Sequence, residues 1–191
     1  MKGVNIFLAE GFEDVEALAT RDILVRGGVD VKLIAIGGEP FVVSAHGAAV
    51  GVDEMLCDIE DDGECSAADV MIFPGGLPGS KNLGECRELI GMMNRHYAAG
   101  GSVAAICAAP KFVFSQLDGI EKAQFTCYDG CEDTLVGKGA SFLRKPSVTS
   151  GRIITGRGPG HAVDFGLAIL SQIKGEKSAA KVAADFTLQC D

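Results

Sequence analysis

The chain has 191 residues, 47% of them hydrophobic and 23% charged, a balance that excludes disordered, collagen-like and coiled-coil chains. At this length one domain over residues 1–191 is expected, burying roughly 70% of its unfolded surface. Lys and Arg total 17 against 26 Asp and Glu, so the net charge is −9 and neither nucleic acid nor an anionic membrane is an expected partner.

Residues 4–9 form an apolar run of strand length that stops at the turn Glu10-Gly11-Phe12. That run is too short for a signal-peptide core, and no stretch approaches a membrane span, so a cytoplasmic location is expected. Seven cysteines without a secretion signal read as free thiols in a reducing compartment. From Glu13 a helix is predicted: acidic residues fill its first turn, Val15, Leu18, Ala19 and Ile23 share a face, and Gly27-Gly28 ends it. Residues 29–36 are a second buried strand, and this β-α-β start implies a parallel sheet covered by helices.

Residues 41–52 read as a hairpin and residues 58–66 as an acidic loop. Another buried strand, 69–73, runs into Pro74-Gly75-Gly76-Leu77-Pro78-Gly79, whose composition leaves main-chain amides open to a ligand. A helix with Leu89, Met92, Met93 and Tyr97 in register follows. Residues 102–106 are a strand of small and β-branched residues, with Cys107 at its end and Ala108-Ala109-Pro110 opening a helix that continues to about Leu117. Downstream come a short strand at 125–128, a hairpin about Ser150-Gly151, a helix over 161–173 and a last amphipathic helix from near Glu176.

Cys107 therefore stands where strand gives way to helix, at the edge where open α/β sheets hold their ligands. The positive end of the following helix would favour its thiolate, whereas a buried structural cysteine is the alternative. Glu16, in the first turn of the first helix, falls on the same edge. It is either one more first-turn acid or a carboxyl that keeps its proton beside the thiol. The amides of Gly75, Gly76 and Ala108 could form an oxyanion site if their loops meet over Cys107.

Other patterns carry less. Gly156-Arg157-Gly158-Pro159-Gly160 fails as a dinucleotide fingerprint, so no cofactor is expected. Cys127-x-x-x-Cys131 has no second close pair and no adjacent histidine, so no metal is expected either. His46 reads as a polar hairpin residue, His96 as a residue of a half-exposed helix and His161 as a residue at a helix start. Ser178-x-x-Lys181, on a terminal helix without companion motifs, is set aside.

Glu10-Gly11-Phe12-Glu13-Asp14-Val15-Glu16, Pro74-Gly75-Gly76, Ala105-Ile106-Cys107-Ala108-Ala109-Pro110 and Arg157-Gly158-Pro159-Gly160 occur in that order. In these segments the sequence resembles the ThiJ/PfpI superfamily, on the branch of the Parkinsonism-associated deglycase. The resemblance implies an α/β, flavodoxin-like three-layer sandwich, mostly parallel, and a homodimer. It matches Cys107 to a reactive nucleophile, Glu16 to its protonated partner, and Gly76 and Ala108 to amide donors. It places Arg157 near the site and the dimer contact. Ala108 stands where the peptidase branch has histidine, which argues against a peptidase. Cys127 occupies the place of a histidine found in some members and His46 that of an arginine facing the partner's site; with Arg157 these are the accessory candidates, whereas Asp129, where bacterial relatives often have proline, is expected only to loosen the following turn.

The expected function is that of a cofactor-free deglycase or glyoxalase acting on methylglyoxal, glyoxal or their early adducts. An oxidative-stress sensor or chaperone working through oxidation of Cys107 is the alternative. A thiamine (thiazole monophosphate) biosynthesis role, a label carried by many relatives, has no supporting motif.

Overall fold

The computed structural model describes residues 1–59 and 63–187. Strands β1 (Val4–Leu8), β2 (Val31–Ala35), β3 (Phe41–Val43), β4 (Ala49–Gly51) and β5 (Glu54–Met55) are followed by β6 (Val70–Phe73) and β7 (Ser102–Ile106). Then come β8 (Gln124–Phe125), β9 (Ser141–Phe142), β10 (Ser147–Ser150) and β11 (Ile153–Gly156). The main sheet has seven strands in the order β10-β11-β7-β6-β1-β2-β5, parallel except for the β10–β11 hairpin. Every residue of β1, β6 and β7 is buried, as continuous apolar runs in a sheet covered on both faces should be.

The period-2 alternation of side chains divides the core. Ile6, Leu8, Val70, Ile72, Ala104 and Ile106 pack with helices α1 (Asp14–Arg26), α6 (Ala162–Lys174) and α7 (Glu176–Asp185). On the other face, Phe7, Met71, Phe73, Val103 and Ala105 pack with α2 (Gly79–Glu85), α3 (Arg87–Ala98), α4 (Ala109–Phe112) and α5 (Asp133–Gly137). These layers make the three-layer, mostly parallel α/β sandwich expected from the sequence. The chain leaves β1 through α1 on one face and leaves β6 through α2 and α3 on the other. The carboxyl ends of β1 and β6 therefore form a switch point, where such sheets open a crevice.

Four local expectations are corrected. The predicted buried face of α1 is rotated: Val15 is 49% and Leu18 39% exposed, while Glu16, Ala17, Thr20, Ile23 and Leu24 face inward. Apolar residues lie on both sides of this helix, so its periodicity does not name the inner face, and two polar side chains occupy it. The helix after Cys107 is one turn, Ala109–Phe112, followed by a 3-10 turn at Phe114–Gln116. The strand predicted at 125–128 is only Gln124–Phe125, paired with β9 apart from the main sheet. His96 is buried, with Nε2 3.0 Å from Ser102 O and 3.1 Å from Asp69 O; desolvation holds its pKa below the usual value, so this is a neutral core imidazole.

Candidate active site

Three loops converge at the switch point, one from the end of β1, one from β6 and one from β7. Glu13 caps α1, its Oε2 accepting from the Glu16 amide at 2.7 Å, which fixes the first turn and turns Glu16 inward. The Glu13 amide in turn donates to Gly75 O at 3.1 Å, tying α1 to the loop after β6. Gly75 N donates to Glu16 Oε2 at 2.7 Å. Glu16 is 1% exposed, and its buried Oε1 has no hydrogen-bond partner.

Cys107 occupies the turn out of β7 with φ +64°, a left-handed conformation that costs a non-glycine residue roughly 1–3 kcal/mol. Two backbone bonds hold it there: its amide donates to Gly156 O at 3.0 Å, and its carbonyl accepts from the Tyr128 amide at 2.9 Å. The thiol lies beside the Glu16 carboxyl and against the amides of Ala108 and Gly76. Nearly everything about this residue is buried, 9% of its surface remaining open.

Gly75 makes the close approach possible. A Cβ built there would lie 2.5 Å from Glu16 Oε2 and 2.6 Å from Cys107 Cβ. Gly75→Ala is therefore expected to force the carboxyl and thiol apart, costing about 1–3 kcal/mol of stability and breaking the Cys107–Glu16 contact. Urea unfolding measures the first effect. A thiol-reactivity profile against pH that has lost its dependence on Glu16 measures the second.

Burial pushes the Glu16 carboxyl up to about 7, against smaller opposing effects of the neighbouring Cys107 thiol and the Gly75 amide. Burial also pushes the Cys107 thiol up, with the Glu16 charge adding to it and the Ala108 and Gly76 amides pulling the other way. The thiolate expected from a following helix dipole is not what this environment favours, because α4 is a single turn and desolvation dominates. Instead the two groups oppose double ionisation and titrate as a pair that retains a proton between sulfur and carboxyl. In such a pair the sulfur becomes anionic when the proton moves to Glu16.

A cavity of about 230 Å³ opens on Cys107, lined by Gly76, Leu77, Cys107, Ala108, Tyr128 and Cys131, with Glu16 buried behind the thiol. Leu77, Tyr128 and Cys131 were not among the candidates drawn from the sequence. Tyr128 also borders a second hollow with Asp129, Arg157, the 158–160 loop and His161. Arg157 lies there rather than against the thiol, its Nη2 donating to both Asp129 oxygens at 3.0 and 2.9 Å. Asp129 also approaches Arg144 at 3.7 Å.

The remaining accessory candidates fall elsewhere. Cys127 is fully buried, does not line the cavity, and has its thiol pushed up to about 12 by burial, so it is ill suited to replace a histidine base. His46 is exposed and pairs through Nδ1 with Asp14 Oδ2 at 2.6 Å, away from the cavity walls. Among the described residues, Glu13, Asp14 and His46 bring three donor atoms near one another. Those donors are already engaged: Glu13 caps α1, and Asp14 accepts from Ser44 Oγ as well as pairing with His46.

Residues 2–172 match the DJ-1/PfpI family. A Caenorhabditis elegans protein named glutathione-independent glyoxalase DJR-1.2 is 34% identical over 166 residues, 87% of this chain and 85% of that protein. Protein DJ-1 homolog A of Arabidopsis thaliana is 32% identical over 188 residues, 98% of this chain; the chain spans 47% of that relative's length. The solved structure of a mutant DJ-1 superfamily protein from Salmonella typhimurium superimposes with a TM-score of 0.88 at 28% identity, covering all of both chains.

Proposed function

The chain belongs to the DJ-1/PfpI family, and from that premise we propose that it is a cofactor-free, cysteine-dependent enzyme of the glyoxalase or deglycase type. Its substrates are methylglyoxal, glyoxal or their early adducts with amines and thiols. The observation that carries this reading is the buried thiol–carboxyl pair, with one proton to exchange and two amides against the sulfur, whose thiol member lines a cavity sized for a small dicarbonyl.

In the proposed reaction, Cys107 sulfur adds to the aldehyde carbon of methylglyoxal and the thiol proton is passed through Glu16 to the new oxygen, giving a hemithioacetal. The amides of Gly76 and Ala108 stabilise that oxygen while it carries charge. Glu16 then removes the proton from the former aldehyde carbon and returns one to the neighbouring carbon, giving a lactoyl thioester. Water cleaves the thioester to lactate and restores the thiol. With a hemiaminal adduct, the sulfur displaces the amine at the former aldehyde carbon: the C–S bond forms, the C–N bond breaks and the thiol proton passes through Glu16 to the leaving amine, giving the same hemithioacetal. Tyr128 and Leu77 wall the cavity beside Cys107.

The exposed apolar outer face of α1, with Val15, Leu18 and Val25, supports assembly with a second copy of the chain. No helix among the described residues is long and apolar enough to cross a membrane. The deciding experiment is lactate formation from methylglyoxal without glutathione, with quenched time points. Turnover that requires Cys107 and Glu16 is expected; wild-type protein that forms no lactate and releases no amine from adducts would reject the enzyme reading in favour of oxidation sensing.

A further inference from the structure

Two thiols face the catalytic cavity, and the carbonyl chemistry uses one. Cys131 shares the cavity wall with Cys107. The backbone links them by two consecutive bonds: Tyr128 N donates to Cys107 O at 2.9 Å, and Cys131 N donates to Tyr128 O at 2.9 Å. Cys131 thus closes a turn whose first residue is anchored on the nucleophile. Gly130 within that turn has φ +90°, the left-handed conformation that glycine takes without strain, and open space on its Cβ side. Cys131 is half-buried and packs at the margins of both core clusters, whereas Cys127 is sealed inside.

We propose that Cys131 is a resolving thiol, which captures oxidised Cys107 as a reversible Cys107–Cys131 disulfide when the cavity admits a hydroperoxide. In the first step Cys107 sulfur attacks one peroxide oxygen. The S–O bond forms, the O–O bond breaks, the thiol proton passes through Glu16 to the leaving oxygen, and water or an alcohol departs. Cys107 is now a sulfenic acid, oxidised by two electrons, and the peroxide is reduced. In the second step Cys131 sulfur attacks Cys107 sulfur: the S–S bond forms, the S–O bond breaks, and hydroxide leaves as water with the Cys131 proton.

Burial holds the Cys131 thiol above its ordinary pKa, with the Glu132 charge adding to it, and the Lys111 ammonium, one turn after the nucleophile, offsets part of that rise. The same step draws Cys107 off the path to sulfinate, which no small thiol reverses. This capture is separate from the carbonyl reaction and stands or falls without it.

The test is stoichiometric hydrogen peroxide followed by thiol blocking, trypsin and mass spectrometry without reductant. Cys127 and Cys131 lie on one tryptic peptide, so Cys127→Ser is run alongside to assign the link. Wild type and Cys127→Ser are expected to give the Cys107-linked peptide pair and to regain the free Cys107 thiol with dithiothreitol. In Cys131→Ser, Cys107 should accumulate as sulfinate, with the dithiothreitol-recoverable fraction lower by about tenfold. Sulfinate in wild type without the linked pair, or a link lost in Cys127→Ser and retained in Cys131→Ser, overturns the proposal.

Discussion

Cys107→Ala is expected to lower lactate formation from methylglyoxal by about 10⁴-fold or more, because losing the covalent nucleophile removes the whole sequence of steps that follow it. Cys107→Ser should do almost as badly, since a serine hydroxyl gives up its proton far less readily and Glu16 is too weak a base to take it. Stability should not fall in parallel. The thiol is already pushed toward its neutral form by burial and by Glu16, and alanine at φ +64° carries the same backbone strain as cysteine. Cys107→Gly relieves that strain and should be more stable than Cys107→Ala by roughly 1 kcal/mol. Urea unfolding of the three variants beside quenched lactate assays checks both halves. Appreciable turnover by well-folded Cys107→Ala would sink the thiol mechanism.

Such a separation of activity from stability is expected where the chain breaks local rules, and those are the places the sequence marks most clearly. Cys107 and Glu16 are legible because each is set by its own neighbourhood: a strand of small residues ending in Cys107, a first turn ordered by Glu13, and Gly75 between them. Leu77, Tyr128 and Cys131 are not, since the cavity wall exists only when segments from β6, β7 and the chain before α5 come together. The periodicity of α1 misplaces its buried face for a related reason. A helix that turns a carboxyl inward and Val15 outward has given its pattern to the site and to its outer surface instead of the core. His96 is hidden from sequence because its partners are main-chain carbonyls, Asp69 O and Ser102 O, which any sequence supplies. The sheet is legible because burial on both faces writes a continuous apolar run. The one-turn length of α4 leaves no such signature.

Glu16→Gln tests the carboxyl in both of its roles. The glutamine carbonyl can accept from Gly75 and its amide can donate to Cys107 sulfur, so it copies the protonated acid without being able to transfer a proton. Activity should fall about 10²–10⁴-fold, the usual worth of a positioned acid–base group. Stability should move the other way at alkaline pH. In the folded protein the Glu16 pKa is raised to about 7 from a model value of 4.5, so between those values the native state binds more protons than the unfolded chain. The contribution of neutral Glu16 is thus fully present below about 4.5 and is lost as pH rises through about 7. Glutamine has nothing to lose over that window. Glu16→Gln should match wild type near the acid end and exceed it by about 1–3 kcal/mol on the alkaline side. Urea midpoints at both pH values give the comparison, and parallel pH profiles for the two proteins would mean that the fold does not hold this carboxyl in its neutral form. The same parallel profiles would remove the proton that the proposed transfer between adjacent carbons requires.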